Sequence, residues 1–126
     1  MHVIRFTAPT SRYLSLNDVE HWRRKADRIK AWRWAGHCFA LEQLPALIGH
    51  APAMVVQVSL PVFTRHRRDP INLVPTVKAI VDGLVASGRL WPDDTPEFVT
   101  DTIPELRYCY PLEDRRVWVT LTPRAP

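Results

Sequence analysis

The sequence predicts an α+β fold: a small single domain in which two main helices pack on a mixed sheet. Three observations predict it. The chain has 126 residues, the size of one ordinary domain. Hydrophobic residues make up 46% of it, enough to build a core and too many for a disordered chain. Its patterned segments run strand, helix, strand, helix, strand, strand, an order that lays helices on a sheet. No repeat or low-complexity linker divides the chain. Residues 1–122 therefore read as one domain and residues 123–126 as a frayed tail.

The segment from His2 to Phe6 alternates and reads as a strand. A loop follows from Pro9 to Leu16. Ser15 or Asn17 can cap a helix beginning near Asp18, and Asp18 and Glu20 suit its positive end. Val19, Trp22, Ala26, Ile29 and Arg33 recur at steps of three and four, which predicts the helix's inward stripe. That helix runs to about Gly36, or on a longer reading to Leu47, where Pro45 and Gly49 loosen its end. Trp32 and Trp34 cannot both face the core, so one of them is expected outside. Pro52 to Val62 is rich in valine and reads as the second strand, with a polar exit from Thr64 to Asp69.

Pro75 is tolerated in the next helix if Asn72 caps it. Pro75 then falls in the first turn, where amide hydrogens lack an intrahelical acceptor anyway. The helix is expected from Leu73 to about Ser87, with Leu73, Val77, Ile80, Val81 and Leu84 buried and Gly88 as its stop. Glu105 to Tyr110 and Arg116 to Thr122 read as two strands. Glu113, Asp114 and Arg115 lie between them at a turn, which predicts a hairpin.

The formal net charge is +4 and the pI about 9.5, a mild indication of an anionic partner. The charges are clustered. Arg23, Arg24, Lys25, Arg28, Lys30 and Arg33 crowd one segment, and Arg65, His66, Arg67 and Arg68 another, while acids concentrate from Asp82 to Glu105. Cys38 and Cys109 form no C-x-x-C pair, so a zinc ribbon or disulfide framework is unsupported and both are expected as free thiols in a reducing compartment. The five histidines show no zinc-ligand spacing. No apolar leader and no membrane-length apolar run is present, and a cytoplasmic protein is expected. No phosphate loop, G-x-G-x-x-G or G-x-S-x-G occurs, so a nucleotide cofactor and serine-hydrolase chemistry are unsupported. Tryptophans interleave with arginines near residue 30, a pattern that can stack on unpaired bases.

The chemistry-bearing stretch runs from Arg67 to Asp94. Asp69 follows the second basic cluster, Lys78 and Asp82 share a helix face at i and i+4, and a turn then delivers Asp93 and Asp94. Carboxylates suit a hard cation such as Mg²⁺, and neighbouring cations suit phosphate. Together they suit metal-assisted phosphodiester cleavage. Each residue also has a plainer reading. Asp69 can be an Asx-turn or helix cap, Asp93 and Asp94 a solvated turn, and Lys78–Asp82 a surface ion pair worth about 0.3–0.5 kcal/mol.

The order R-R-D-P-I-N-L, then K-A-I-V-D-G, then D-D resembles the core motif of the RusA-type Holliday-junction resolvases, and the segment from Asn17 to Arg33 resembles the first helix of phage-borne members. The resemblance places the family's first aspartate on Asp69, its Asn-Leu on Asn72 and Leu73, its lysine on Lys78, its helix aspartate on Asp82 and its acidic pair on Asp93 and Asp94. Ile71 stands where the family has a second aspartate, and the interval from Asn72 to Lys78 is longer than the family's. The resemblance implies a homodimeric endonuclease that resolves branched DNA with Mg²⁺, or with Mn²⁺ in its place. It implies Asp69, Lys78, Asp82 and Asp94 as catalytic residues, with Asp93 as a further metal ligand. DNA would lie on Arg65, Arg67, Arg68 and Asn72, and on Arg23, Arg24, Lys25, Arg28 and Lys30. Ile71 favours one alternative: a nucleic-acid-binding protein on the same fold without catalysis.

Overall fold

The computed structural model describes residues 1–10, 12–19, 21–45, 51–64, 68–109 and 114–125. Five strands and two helices form the expected α+β domain. The strands are β1 (His2–Phe6), β2 (Met54–Val62), β3 (Val99–Asp101), β4 (Glu105–Tyr108) and β5 (Val117–Pro123), and the helices are α1 (Trp22–Gln43) and α2 (Val74–Ala86). A 3₁₀ turn, Pro70–Leu73, leads into α2.

The sheet order is β1-β5-β2-β3, with β4 also on β2. β5 runs antiparallel to both β1 and β2. β3 pairs in parallel with Met54 to Val56 and β4 in parallel with Ser59 to Val62, so the two short strands follow one another along one edge of β2. Alternation decides which face is buried. Ile4 and Phe6 on β1, Val56, Val58 and Leu60 on β2, and Val117, Val119 and Leu121 on β5 join one core. Trp32, Ala35 and Ala40 of α1 and Val77, Ile80, Val81 and Leu84 of α2 complete it.

The helices touch backbone to backbone. A Cβ at Gly36 would stand 2.5 Å from the Ile80 carbonyl oxygen, and one at Gly83 would stand 2.1 Å from that of Arg33. Only glycine fits at this crossing, which sets how α2 is rotated on α1.

Three expectations are corrected. First, α1 starts at Trp22 rather than Asp18, and His21 caps it, its side chain accepting from the Arg23 amide at 3.2 Å. Asp18 instead accepts from the Ser15 amide at 2.9 Å and pairs with Arg28. The stripe shifts with the start. Val19 and Trp22 are 97% and 67% exposed, and the buried face is Trp32, Ala35, Gly36 and Ala40. Of the two later tryptophans, Trp34 is the exposed one. Second, β4 and β5 do not form a hairpin; they flank β2 on opposite sides. Arg107 of β4 reaches across, donating to the Ser59 hydroxyl and the Asp114 carbonyl and lying 3.9 Å over the Trp118 ring. Third, β5 continues through Pro123, and Arg124 donates to the Pro96 carbonyl at 2.8 Å and the Glu97 carbonyl at 2.7 Å. Fraying therefore does not begin at residue 123. The expected stripe and stop of α2 hold: Gly88 ends it at φ 71°, and Pro75 lies in its first turn, but Leu73 rather than Asn72 stands at the N-cap, with no side-chain capping bond.

Among the described residues, no helix is long and apolar enough to cross a membrane. Cys38 and Cys109 are free thiols.

Candidate active site

With Val77, Ile80, Val81 and Leu84 turned to the core, α2 presents Lys78 and Asp82 on its outer side. Their i, i+4 spacing brings the Lys78 Nζ within 3.0 Å of Asp82 Oδ1. The acidic pair arrives from the far side of a return. Gly88 turns the chain, and buried Leu90 and Trp91 anchor it. The Ala51 amide donates to the Leu90 carbonyl at 3.1 Å and the Trp91 indole to that of Pro52 at 2.8 Å. Asp94 thereby meets Lys78, whose ammonium donates to Asp94 Oδ2. Asp93 folds back, its Oδ1 accepting from the Asp94 amide at 2.8 Å.

The charges act on one another. The hydrogen bond from Lys78 holds the Asp94 carboxyl below its usual range, and the bond to Asp94, with Asp82 adding to it, raises Lys78 above its own. A further carboxylate feels the field of this group. Asp101 closes β3, and its pKa is raised, first by desolvation and then by Asp94 and Asp82, against the pull of Lys78. Sequence reasoning missed Asp101. Its signal was a three-residue edge strand, too short to stand out by pattern.

Asp69 is elsewhere. Its Oδ1 accepts from the Ile71 amide at 3.2 Å and caps the 3₁₀ turn. It lines a depression with Ser15, Asn17, Arg68 and Asn72. The 3₁₀ turn and the first turn of α2 put on the order of 14 Å of helical rise between Asp69 and Lys78. Ile71 is 48% exposed beside it. The expected ligand set of Asp69, Asp82, Asp93 and Asp94 is thus divided: Asp82 and Asp94 meet and Asp69 stands apart. Among the described residues, no group of three or more acidic, histidine or cysteine side chains encloses a metal position. The donor chemistry at Asp82 and Asp94 still fits a hard divalent cation. Both offer carboxylate oxygen to one point, and a cation, the Lys78 ammonium, occupies it.

Of the expected DNA-binding residues, Arg23, Arg24, Lys30 and Arg68 are exposed and Lys25 and Asn72 half-buried. Arg23 lies 5.2 Å over the exposed Trp22 ring. Arg28 is corrected. It donates to the Tyr13 carbonyl at 2.9 Å and to Asp18 at 3.1 Å, with its side chain only 12% exposed. It pins the loop before α1 and is not presented to a phosphate. Arg65 and Arg67 lie outside the described residues.

No protein-family model matches the sequence, and a search of curated proteins finds no relative.

Proposed function

We propose that the chain is a metal-dependent, structure-selective endonuclease that acts on branched DNA as a homodimer. The observation that carries this reading is the meeting of Lys78, Asp82 and Asp94, three residues of the resolvase-like motif drawn from two separate segments. Asp82 and Asp94 would hold Mg²⁺ or Mn²⁺, with Asp93 next to Asp94. When bound, such an ion polarises a phosphoryl oxygen and lowers the pKa of a water. Lys78 supplies a fixed positive charge where negative charge builds on the phosphate. Arg23, Arg24, Lys30 and Arg68 would hold backbone phosphates, giving affinity without sequence reading. A domain of this length has a radius of gyration of about 14 Å, so two copies span a four-way junction better than one. Twofold symmetry also matches the two strands to be cut.

The experiment is incubation with a synthetic four-way junction, with and without Mg²⁺, beside Asp94→Asn and Asp69→Asn. Paired symmetric nicks are expected only with the metal, and none from Asp94→Asn. Asp69→Asn keeps a capping oxygen and removes a charge, so its cleavage separates a local cap from a ligand. Loss of cleavage with unchanged melting would return Asp69 to the metal site. The second reading, DNA binding without cleavage, is favoured by Ile71 and by the separation of Asp69 from Asp94. Tight junction binding with no nicks in any divalent metal would establish it. Light scattering of the protein with and without junction tests the dimer, and a monomer mass in both would remove it.

A further inference from the structure

A second cavity, of about 570 Å³, lies between the loop after β1 and the end of β2. That volume falls within the range of small-ligand sites. Among the described residues, three arginines line it, Arg12, Arg68 and Arg115, against one carboxylate, Asp18. The carboxylate is already satisfied. Its side chain is 3% exposed and lies 3.1 Å from Arg28 and 3.4 Å from Arg12. The described lining is therefore net positive. Arg12 keeps 60% of its side chain exposed. Phe63, also in the lining, is 47% exposed, and the Arg115 guanidinium lies 4.1 Å over its ring. The Tyr13 hydroxyl donates to the Pro61 carbonyl, and desolvation pushes its pKa up to about 12, so it stays neutral and adds no charge. Arginine forks match phosphate oxygens, and an aromatic ring with a guanidinium beside it is a platform for a base. The cavity shares Ser15, Asn17 and Arg68 with the depression that holds Asp69 and Asn72, so a strand can run from one into the other.

We propose that this cavity takes one unpaired nucleotide of a DNA strand, its phosphate on Arg12 and Arg68 and its base on the stack that Phe63 makes with Arg115. The inference rests on the proposed function only for the origin of the strand, an opened branch point. Binding itself needs neither metal nor cleavage.

The test is fluorescence anisotropy, without divalent metal, of a labelled oligothymidylate and of a duplex of equal length. Phe63→Ala is expected to weaken the oligothymidylate about tenfold, the scale of one base stack, and to leave duplex affinity within about twofold. Phe63→Tyr, which keeps a ring, retains binding. Arg68→Gln weakens the oligothymidylate and flattens its salt dependence. Trp34→Ala, on the exposed side of α1, leaves it unchanged and serves as the control. Three outcomes overturn the proposal: Phe63→Ala binding the oligothymidylate within about twofold of the parent, an equal loss on duplex, or the loss appearing in Trp34→Ala instead. Should Phe63→Ala melt early, full affinity in Arg68→Gln overturns it equally. Because no cleavage is read, failure of the junction assay and failure of this binding assay are separate results.

Discussion

Lys78 is gripped by two carboxylates, and its removal distinguishes an ion pair from a catalytic charge. Lys78→Met is expected to slow single-turnover junction cleavage by about 10²–10³, the usual effect of losing a group aimed at transition-state charge. An exposed pair alone contributes at most about 0.5 kcal/mol of stability and no chemistry. Cutting within about threefold of the parent would leave Lys78 a surface pair. The neighbouring aspartates should respond oppositely to acid. Asp94 has a lowered pKa, so its contribution to stability is present above the unfolded value of about 4 and is lost as pH falls through the folded one. Asp101 has a raised pKa, so its ionisation opposes folding, and stability falls as pH rises through the folded value. At neutral pH Asp94→Asn should melt below the parent and Asp101→Asn above it. Both differences should close in acid, well below pH ~4. Thermal melts at the two pH values read this directly, and shifts of the same sign at neutral pH would contradict the assignment. Asp69, Lys78 and the acidic pair were legible as a motif. The cap that Asp69 forms was legible as its plainer reading. That Asp94 rather than Asp69 joins Lys78 was not, because proximity in chain order says nothing of which side of α2 each segment reaches.

The helices owe their relation to two glycines. Gly36 and Gly83 meet where any Cβ would strike a carbonyl oxygen. Gly83→Ala should therefore destabilise the fold despite alanine's better helix propensity, by about 1–3 kcal/mol or more. Urea melts check this, and a gain in stability would mean the helices part at no cost. Gly83 follows Asp82, so the same substitution should also disturb the Lys78 cluster. The stripe of α2 is readable because Leu73, Val77, Ile80, Val81 and Leu84 give one unbroken period. The stripe of α1 is not, because Val19 and Trp22 continue the helical spacing upstream of and into the true start at Trp22. A periodic run does not mark its own end when no strong cap interrupts it. The expected hairpin fails for a related reason: two adjacent strands separated by a turn imply pairing only when no third strand lies between them. β5 is apolar enough at Val117, Val119 and Leu121 to sit inside the sheet, between β1 and β2.

At the scale of the whole molecule, the positive charge divides into a surface part and a structural part. Replacing Arg23 and Arg24 by alanine should flatten the salt dependence of junction affinity, by roughly 0.9 on a log–log plot for each duplex phosphate that is no longer neutralised. Arg28→Ala should leave that slope unchanged and instead lower the melting temperature, because it strips a nearly buried Asp18 of the nearer of its two arginine partners. Affinity titrations over a salt series, with melts of each variant, test both. An altered slope in Arg28→Ala would mean that this side chain reaches DNA after all.

Composition and periodicity by themselves determined the fold class, the extent of β1, the end of β2, and the inward face and stop of α2. They could do so because burial imposes a local period that the chain carries openly. Only the tertiary structure decided that β5 lies between β1 and β2, that Arg28 serves Asp18, that Asp94 meets Lys78 beside Asp82, and that Asp69 stands apart. Those outcomes depend on which distant segments pack together, through the Gly36–Gly83 crossing and the return anchored by Trp91, and no local pattern encodes a partner.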